Sequence, residues 1–341
     1  MSSADWTEPG AHEVAPGVHR IPLPMPGDGL RAVNVYAIRD TSTVTLIDGG
    51  WALDESRNQL AEALATLGAE LSDIARVLVT HVHRDHYTQA VTLRGETGCR
   101  IALGAAERPN LRCLMASDHV PMRRQREQLL ECGAKNVVDA LEAEFGTPDA
   151  LPPEGTWQEP DEWLEESTPI ELERRTLRVV PTPGHTRGHV MFLDETEGLM
   201  FTGDHVLPHI TPSVALEQAP GPVPLRDFLD SLRLTRSLPD TRMLPAHGPA
   251  GSSVHTRVDE LLRHHERRLT TMTTAVAEGA ETAHQTARTL TWTRHGYALD
   301  ELDTFNRTLA ILETAAHLKL LTEWGRLDVE LVEGVAHYTA N

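Results

Sequence analysis

The tightest constraint on how this chain folds is a strand that ends in metal-ligand chemistry. "ARVLVT" (75–80) is a short apolar, β-branched run that reads as a buried strand, and "HVHRDHYTQA" (81–90) follows at once. Six consecutive positions hold His81, His83, Asp85 and His86. A solvated polar loop has no need of so much imidazole, whereas a metal ion takes three or four protein ligands. Three more apolar runs end the same way. "LRVVPT" (177–182) leads to His185 in "PTPGHTRGH", "GLMFTGD" (198–204) to Asp204, and "TRMLPAHG" (241–248) to His247. Loops at strand ends are where α/β proteins build sites. Five imidazoles and two carboxylates suit two ions, with one carboxylate shared.

The flanking pattern supports a layered α/β domain. "GVHRIPL" (17–23), "AVNVYAI" (32–38) and "STVTLID" (42–48) read as strands joined by turns. "DESRNQLAEALATLG" (54–68) places Leu60, Ala63, Leu64 and Leu67 on one helical face and stops at Gly68. A helix through "QAVTLRGETG" and a strand "CRIALG" follow the histidine loop. Such alternation predicts stacked sheets and helices. The second half has the same texture, without a visible sequence repeat.

Between the halves, 118–146 is charged and helical in pattern, and a loop rich in Pro, Glu and Trp continues to 167. We expect an insertion lying over the core. Either it is a substrate-selecting lid, with Leu129, Leu130, Val137, Val138, Leu141, Trp157 and Trp163 facing an acyl chain, or it only buttresses the fold. From about 255 the chain turns helical, and "DVELVEGVAHY" near its end reads as two short strands around Glu333 and Gly334. Helix, helix, helix, hairpin is the order of a winged-helix module, the other reading being a plain helical cap. The expected domains are therefore 1–254, carrying the ligands, and 255–341. His264 and His265, beside Arg263, Arg267 and Arg268, read as a solvated helix face.

Composition narrows the partners. The 31 basic and 50 acidic residues give −19 with histidine neutral, which disfavours nucleic acid or an anionic membrane as main partner. No DNA binding is expected of 255–341, whose basic residues are matched by acidic ones; packing on the first domain or a homodimer contact suits it better. Cys99, Cys113 and Cys132 have no paired spacing, so neither a disulfide scaffold nor a structural zinc knuckle is expected. The N-terminus lacks a basic region followed by an apolar run, and no stretch of 18 apolar residues occurs, which reads as cytoplasmic.

In order, "HVHRDH", "PGHT", "TGDH" and "PAHG" resemble the metallo-β-lactamase-fold hydrolases over roughly residues 14–250. "TGDHVLPHITPSV", "PAHG" and the winged-helix-like tail look most like the branch of β-lactamase-like protein 2, related to glyoxalase II. The resemblance implies a four-layer αβ/βα sandwich with the metals at one edge. It implies that His81, His83 and His185 hold one metal, that Asp85, His86 and His247 hold a second, and that Asp204 bridges them. Two divalent ions on the order of 3.5–4 Å apart bring a bridging water toward a pKa of about 7, and the resulting hydroxide attacks a carbonyl or a phosphorus centre. Asp85 would orient that hydroxide. Zinc suits the ligands, and iron or manganese fits too. Tyr87 stands where many relatives continue with glycine; it either polarises an oxyanion or packs. His189 and His209 are expected either to hydrogen-bond substrate or ligands or not to take part, and His205 to pack.

Three substrate classes compete. The acidic balance argues against a nuclease or phosphodiesterase, although Arg123, Arg124, Arg126 and Lys135 offer a few cations. A lactonase or β-lactamase fits the C-terminal module or the lack of an export signal less well. Hydrolysis of an acyl thioester, on coenzyme A, glutathione or a carrier protein, is the expected reaction.

Overall fold

Strand side chains alternate between two apolar environments, and that alternation builds the layers. The computed structural model describes residues 5–341 apart from 28, 118, 121, 146–154, 167–168, 215 and 294. One sheet has seven strands in chain order: β1 (His12–Ala15), β2 (Val18–Pro24), β3 (Ala32–Arg39), β4 (Val44–Ile47), β5 (Ile74–Val79), β6 (Arg100–Gly104) and β7 (Glu162–Leu164). It is antiparallel through β4 and parallel from β4 onward. The second sheet comprises β8 (Pro169–Glu171), β9 (Thr176–Pro181), β10 (Val190–Asp194), β11 (Leu199–Gly203) and β12 (Arg242–Pro245). It too ends in a parallel pair, β11 with β12. Both halves thus share one plan, antiparallel hairpins followed by a parallel crossover, which is the common texture seen in the sequence.

Parallel neighbours require crossovers, and helices supply them. α1 (Asp54–Thr66) joins β4 to β5, and α2 (Arg84–Thr97) joins β5 to β6. α3 (Arg108–Met115), α4 (Arg123–Glu131) and α5 (Lys135–Phe145) follow β6, and α6 (Pro224–Ser237) joins β11 to β12. Leu177, Val179, Val190, Phe192, Leu199 and Phe201 of the second sheet meet Tyr36, Ile38, Ile47 and Leu78 of the first in one buried layer. The ring of Tyr36 stands edge-on to Phe201 at 5.3 Å and 74°. On the same strands, Val180, Met191, Leu193 and Met200 turn to the helical side. Val33, Val35, Val77 and Val79 of the first sheet pack with Leu60 and Leu64 of α1 and Leu93 of α2. The result is the expected four-layer αβ/βα sandwich.

The C-terminal part runs α7 (Val254–Ala277), α8 (Ala283–Arg288), a minimal pair β13 (Thr291–Trp292) and β14 (Tyr297–Ala298), α9 (Thr304–Glu323), then the hairpin β15 (Leu327–Val332) and β16 (Val335–Ala340). The hairpin turns at Glu333 and Gly334, both with positive φ. This is the expected order of three helices and a wing. Its core is continuous with the helical side of the second sheet.

Two expectations need correction. Leu129, Val137, Val138 and Leu141 of the insertion are buried in that same core with Ile311 and Leu318 of α9, while Leu130 alone of the five is exposed. Their apolar surface finds a partner in the C-terminal helices and is not offered to an acyl chain. Trp163 sits in β7 of the first sheet, and Trp157 packs against the core on that side. Residues 146–154 and 167–168 lie outside the described residues. Secondly, His265 is fully buried and His264 half-buried, so they are not a solvated face. His265 lies on the stripe Val258, Leu261, His265, Leu269, Met272, Val276, whose spacing of three and four is the buried face of α7.

Phe192 is fully buried in the middle of the inter-sheet layer. Phe192→Ala is expected to cost about 3–5 kcal/mol, as aromatic deletions in well-packed cores do. Chemical denaturation with an unchanged m-value checks it.

Candidate metal centre

Each sequence-identified ligand stands just beyond a strand end. His81 lies two residues after β5, His83 is the N-cap of α2, and Asp85 and His86 occupy its first turn. His185 lies in the turn between β9 and β10, Asp204 directly after β11, and His247 two residues after β12. Their convergence depends on close backbone packing at the turns. Gly203 has φ +49°, and a Cβ there would stand 2.6 Å from Nε2 of His189. Gly184, at φ +138°, would put a Cβ 2.4 Å from the α6 backbone at Phe228.

The seven residues fall into two sets. Nε2 of His185 lies 3.2 Å from Nε2 of His81, 3.0 Å from Nδ1 of His83 and 3.5 Å from Oδ2 of Asp204. Oδ2 of Asp85 lies 3.3 Å from Nε2 of both His86 and His247. The other oxygen of Asp204, Oδ1, is 3.4 Å from His247 and 3.7 Å from His86. Asp204 therefore faces both sets, one oxygen to each.

The remaining ring nitrogens are tied to the protein. Nδ1 of His185 donates to the Ser213 carbonyl, Nε2 of His83 to that of Leu216, and Nδ1 of His247 to that of Ala32. Nδ1 of His86 donates to Oδ2 of Asp48 at 2.9 Å. Nδ1 of His81 meets Oγ1 of Thr80, whose hydroxyl donates onward to Asp48. Anchoring one nitrogen as the donor turns the other to the centre, where its lone pair can take a metal in place of a proton. Nε2 of His86, Nε2 of His247 and Oδ1 of Asp204 are buried without a hydrogen-bond partner. Lone pairs held 3.0–3.2 Å apart repel unless a cation lies between them. The residues thus fit two metal ions, three imidazoles with one oxygen of Asp204 on one side, and Asp85, His86 and His247 with the other oxygen on the second.

Charge follows the same division. Burial, with little carboxylate support, pushes His83 down to about 3 and His81 well below its ordinary value. Burial works against the charged form of His247 too, but Asp204 and Asp85 beside it raise it to about 10. Burial opposes the ionised Asp204, yet His247 and His86 hold it below the usual carboxylate range. Asp204 is a carboxylate at any working pH, ready to bridge.

Tyr87 is not brought to the centre, which corrects its assignment as a catalytic residue. It is fully buried, its hydroxyl donates to the Gln158 carbonyl at 2.7 Å, and its ring stacks on Trp157 at 6.1 Å. One helical position past His86, it is rotated away from the ligands. His189 takes a supporting place: Nδ1 donates to Oγ1 of Thr182 at 2.8 Å, and Nε2 accepts from the backbone N–H of Asp204 at 3.1 Å. His205 packs on the ring of Phe228, 5.0 Å away, and His209 is exposed outside both sets.

The metallo-beta-lactamase superfamily matches residues 28–247, more than half of the chain. The chain belongs to this superfamily. It is 29% identical to the probable metallo-hydrolase YqjP of Bacillus subtilis, covering 89% of this chain and 90% of that protein. It is 27% identical to an atrochrysone carboxyl ACP thioesterase of Aspergillus fumigatus, over 80% of this chain and 53% of that enzyme. A beta-lactamase domain protein from Burkholderia ambifaria superimposes with a TM-score of 0.79 at 28% identity, covering 100% of this chain and 96% of the other. A shorter match, 30% identical over 106 residues, is to a beta-lactamase-like protein 2 homolog of Caenorhabditis elegans. The chain spans between 53% and 63% of the length of several fungal curated relatives.

Sequence reasoning missed the groups behind the ligands. Asp48, buried and at φ +61°, accepts from the backbone and hydroxyl of Thr80 and from His86. Its signal was present in "TLIDGG", an aspartate closing an apolar strand. Glu107 and Glu217 had no such signal. Glu107 accepts from Thr186, Asn110 and weakly from the Val82 amide at 3.4 Å, so it ties the His81–His83 loop to the residue after His185. Glu217 shares Asn110 and accepts from the Arg187 amide. Burial pushes Glu217 up to about 8, and Glu107 upward as well.

Two measurements test this centre. Metal-loaded protein is expected to hold two equivalents by elemental analysis, and Asp204→Ala to lose metal and turnover together; a stable single equivalent with full activity contradicts the shared-carboxylate arrangement. Glu217 keeps its proton in the native state up to about pH 8, whereas the unfolded chain releases it above about 4.5. Its contribution is whole below 4.5 and is lost as pH rises toward 8, on the order of a few kcal/mol. Glu217→Gln should flatten the fall in Tm between pH 5 and 8; an unchanged slope refutes that titration.

Proposed function

We propose that the protein is a binuclear metal-dependent thioesterase, zinc being the metal that best suits the nitrogen and oxygen ligands. The observation that carries the chemistry is Asp204 facing two ligand sets with separate oxygens. Support for the substrate class comes from the acyl-carrier-protein thioesterase among its relatives. Bound divalent ions would supply an activated water and a Lewis acid for the scissile carbonyl. The chain's own groups then have defined work. Asp85 is 15% exposed in its side chain, against 9% for Asp204, so it is the carboxylate better reached by solvent. With Oδ2 turned to His86 and His247, its other oxygen would accept the proton of the attacking water. As the carbon–oxygen bond forms and the carbon–sulfur bond breaks, that proton passes to the departing thiolate. His189, through the Asp204 amide, fixes the bridging carboxylate while charge moves. A homodimer through the C-terminal module, and small or carrier-bound acyl groups as substrates, belong to the same proposal. No described helix is long and apolar enough to cross a membrane.

A substrate panel decides between classes. Metal-loaded protein is assayed with acyl-CoA, acyl-glutathione, an acylated carrier protein, a lactone, bis-p-nitrophenyl phosphate and RNA. Thioesters are expected to have kcat/KM at least a hundredfold above the others. A preference for RNA or the phosphodiester overturns the thioesterase reading and leaves the metal centre standing.

A further inference from the structure

Away from the strand ends, α7 and α9 bring together a second kind of metal-ligand cluster. Among the described residues, ligand atoms of three groups lie within 4.8 Å of one another: the two sets already described, and His264, His265 and Glu313. Closeness alone would not distinguish a site from a polar contact in a core. The hydrogen bonds behind it do. Nδ1 of His317 lies 2.8 Å from the Glu313 carbonyl, which can only accept, so Nδ1 carries the hydrogen and donates. Its Nε2 is then an acceptor, and Nδ1 of His265 donates to it at 3.1 Å. Nε2 of His265 is left as a bare lone pair. His265 is 0% exposed, and that nitrogen has no hydrogen-bond partner. One nitrogen anchored and the other turned toward the neighbouring ligand types is also how the imidazoles of the strand-end centre are presented.

The surroundings hold this arrangement. The rings of His265 and His317 stack at 5.2 Å and 27°, and Phe228 closes on His265 edge-on at 5.5 Å. The His264 ring stands 84° to that of His265 at 5.2 Å, so the two present their nitrogens from different directions. Arg268 is the cation whose field reaches Glu313, and its guanidinium is held elsewhere. It lies over the Trp292 ring at 4.2 Å and donates to the Thr291 carbonyl at 3.2 Å. We propose that His264, His265 and Glu313 form a structural site for a divalent cation of the zinc class, which clips α7 to α9. Two imidazoles and a carboxylate are a ligand set that zinc accepts, with a solvent molecule completing four-coordination.

The site stands independently of the thioesterase reading, and its test uses metal content. The full chain is equilibrated with Zn²⁺, freed of excess, and analysed for bound metal beside His264→Gln, His265→Gln and Glu313→Gln. Each variant is expected to hold one equivalent less than the parent and to lose part of the zinc-dependent rise in Tm, with thioester turnover unchanged. Zinc-edge anomalous diffraction of the parent should show a peak between these three side chains. If His265→Gln does not fold, His264→Gln, at a half-buried position, gives the same reading. Equal zinc content in the parent and the folded variants, or no anomalous peak beside Glu313, overturns the proposal.

Discussion

Five imidazole nitrogens gathered around Asp204 and Asp85 are the arrangement on which the molecule turns. Such an assembly is electrostatically costly without its cations, because unpaired buried polar atoms lose hydration and gain nothing in return. It exists because each ring is held from behind, by the carbonyls of Ala32, Ser213 and Leu216 and by Asp48 and Thr80. Asp48 is the hinge of that scaffold. It takes hydrogen bonds from His86 and from the strand end that carries His81, so one carboxylate orients a ligand of each metal set.

The fold explains why those anchors are within reach. Two sheets stacked through one apolar layer put the ends of β5, β9, β11 and β12 at one edge. Asn34 of β3 then reaches across to the carbonyls of Pro245 and Gly248, on either side of His247. The hydroxyl of Tyr36 adds a third bond between the sheets, to the same Pro245 carbonyl at 2.8 Å. Packing of the inter-sheet layer and placement of the last metal ligand are therefore linked through two side chains of one strand.

Much of this was legible in the sequence. The runs before His81, His185 and Asp204 lie within one residue of the observed strands, and the run to Gly248 overshoots its strand by three, because β-branched runs closed by glycine, proline or aspartate are strong local signals. The candidate ligands were legible because metal binding demands particular residue types, and their order along the chain resembles one superfamily. What was not legible depends on partners distant in sequence. Leu129 and Val137 look like an exposed apolar face until α9, some 170 residues later, covers them. His265 looks like part of a basic cluster unless the stripe from Val258 to Val276 is followed through it. Glu107 and Glu217 are ordinary acidic residues in the sequence, and only the closeness of Asn110 to both shows why they are buried.

With the insertion helices committed to the C-terminal core, the chain between β11 and α6 is the segment that borders the candidate metal centre. That segment begins with Asp204, passes the exposed His209 and Ile210, and supplies the carbonyls of Ser213 and Leu216 that orient His185 and His83. It continues through Glu217, which accepts from the Arg187 amide two residues past His185. The same segment therefore borders the centre and positions two of its ligands. A substitution at its exposed positions can reshape the approach freely. One that moves its backbone must also rotate His83 or His185, and misplacement of a reacting group by about 1 Å can reduce turnover about a hundredfold. Substrate range is thus expected to vary through side chains at the tip of this segment, while its backbone course stays tied to the metals.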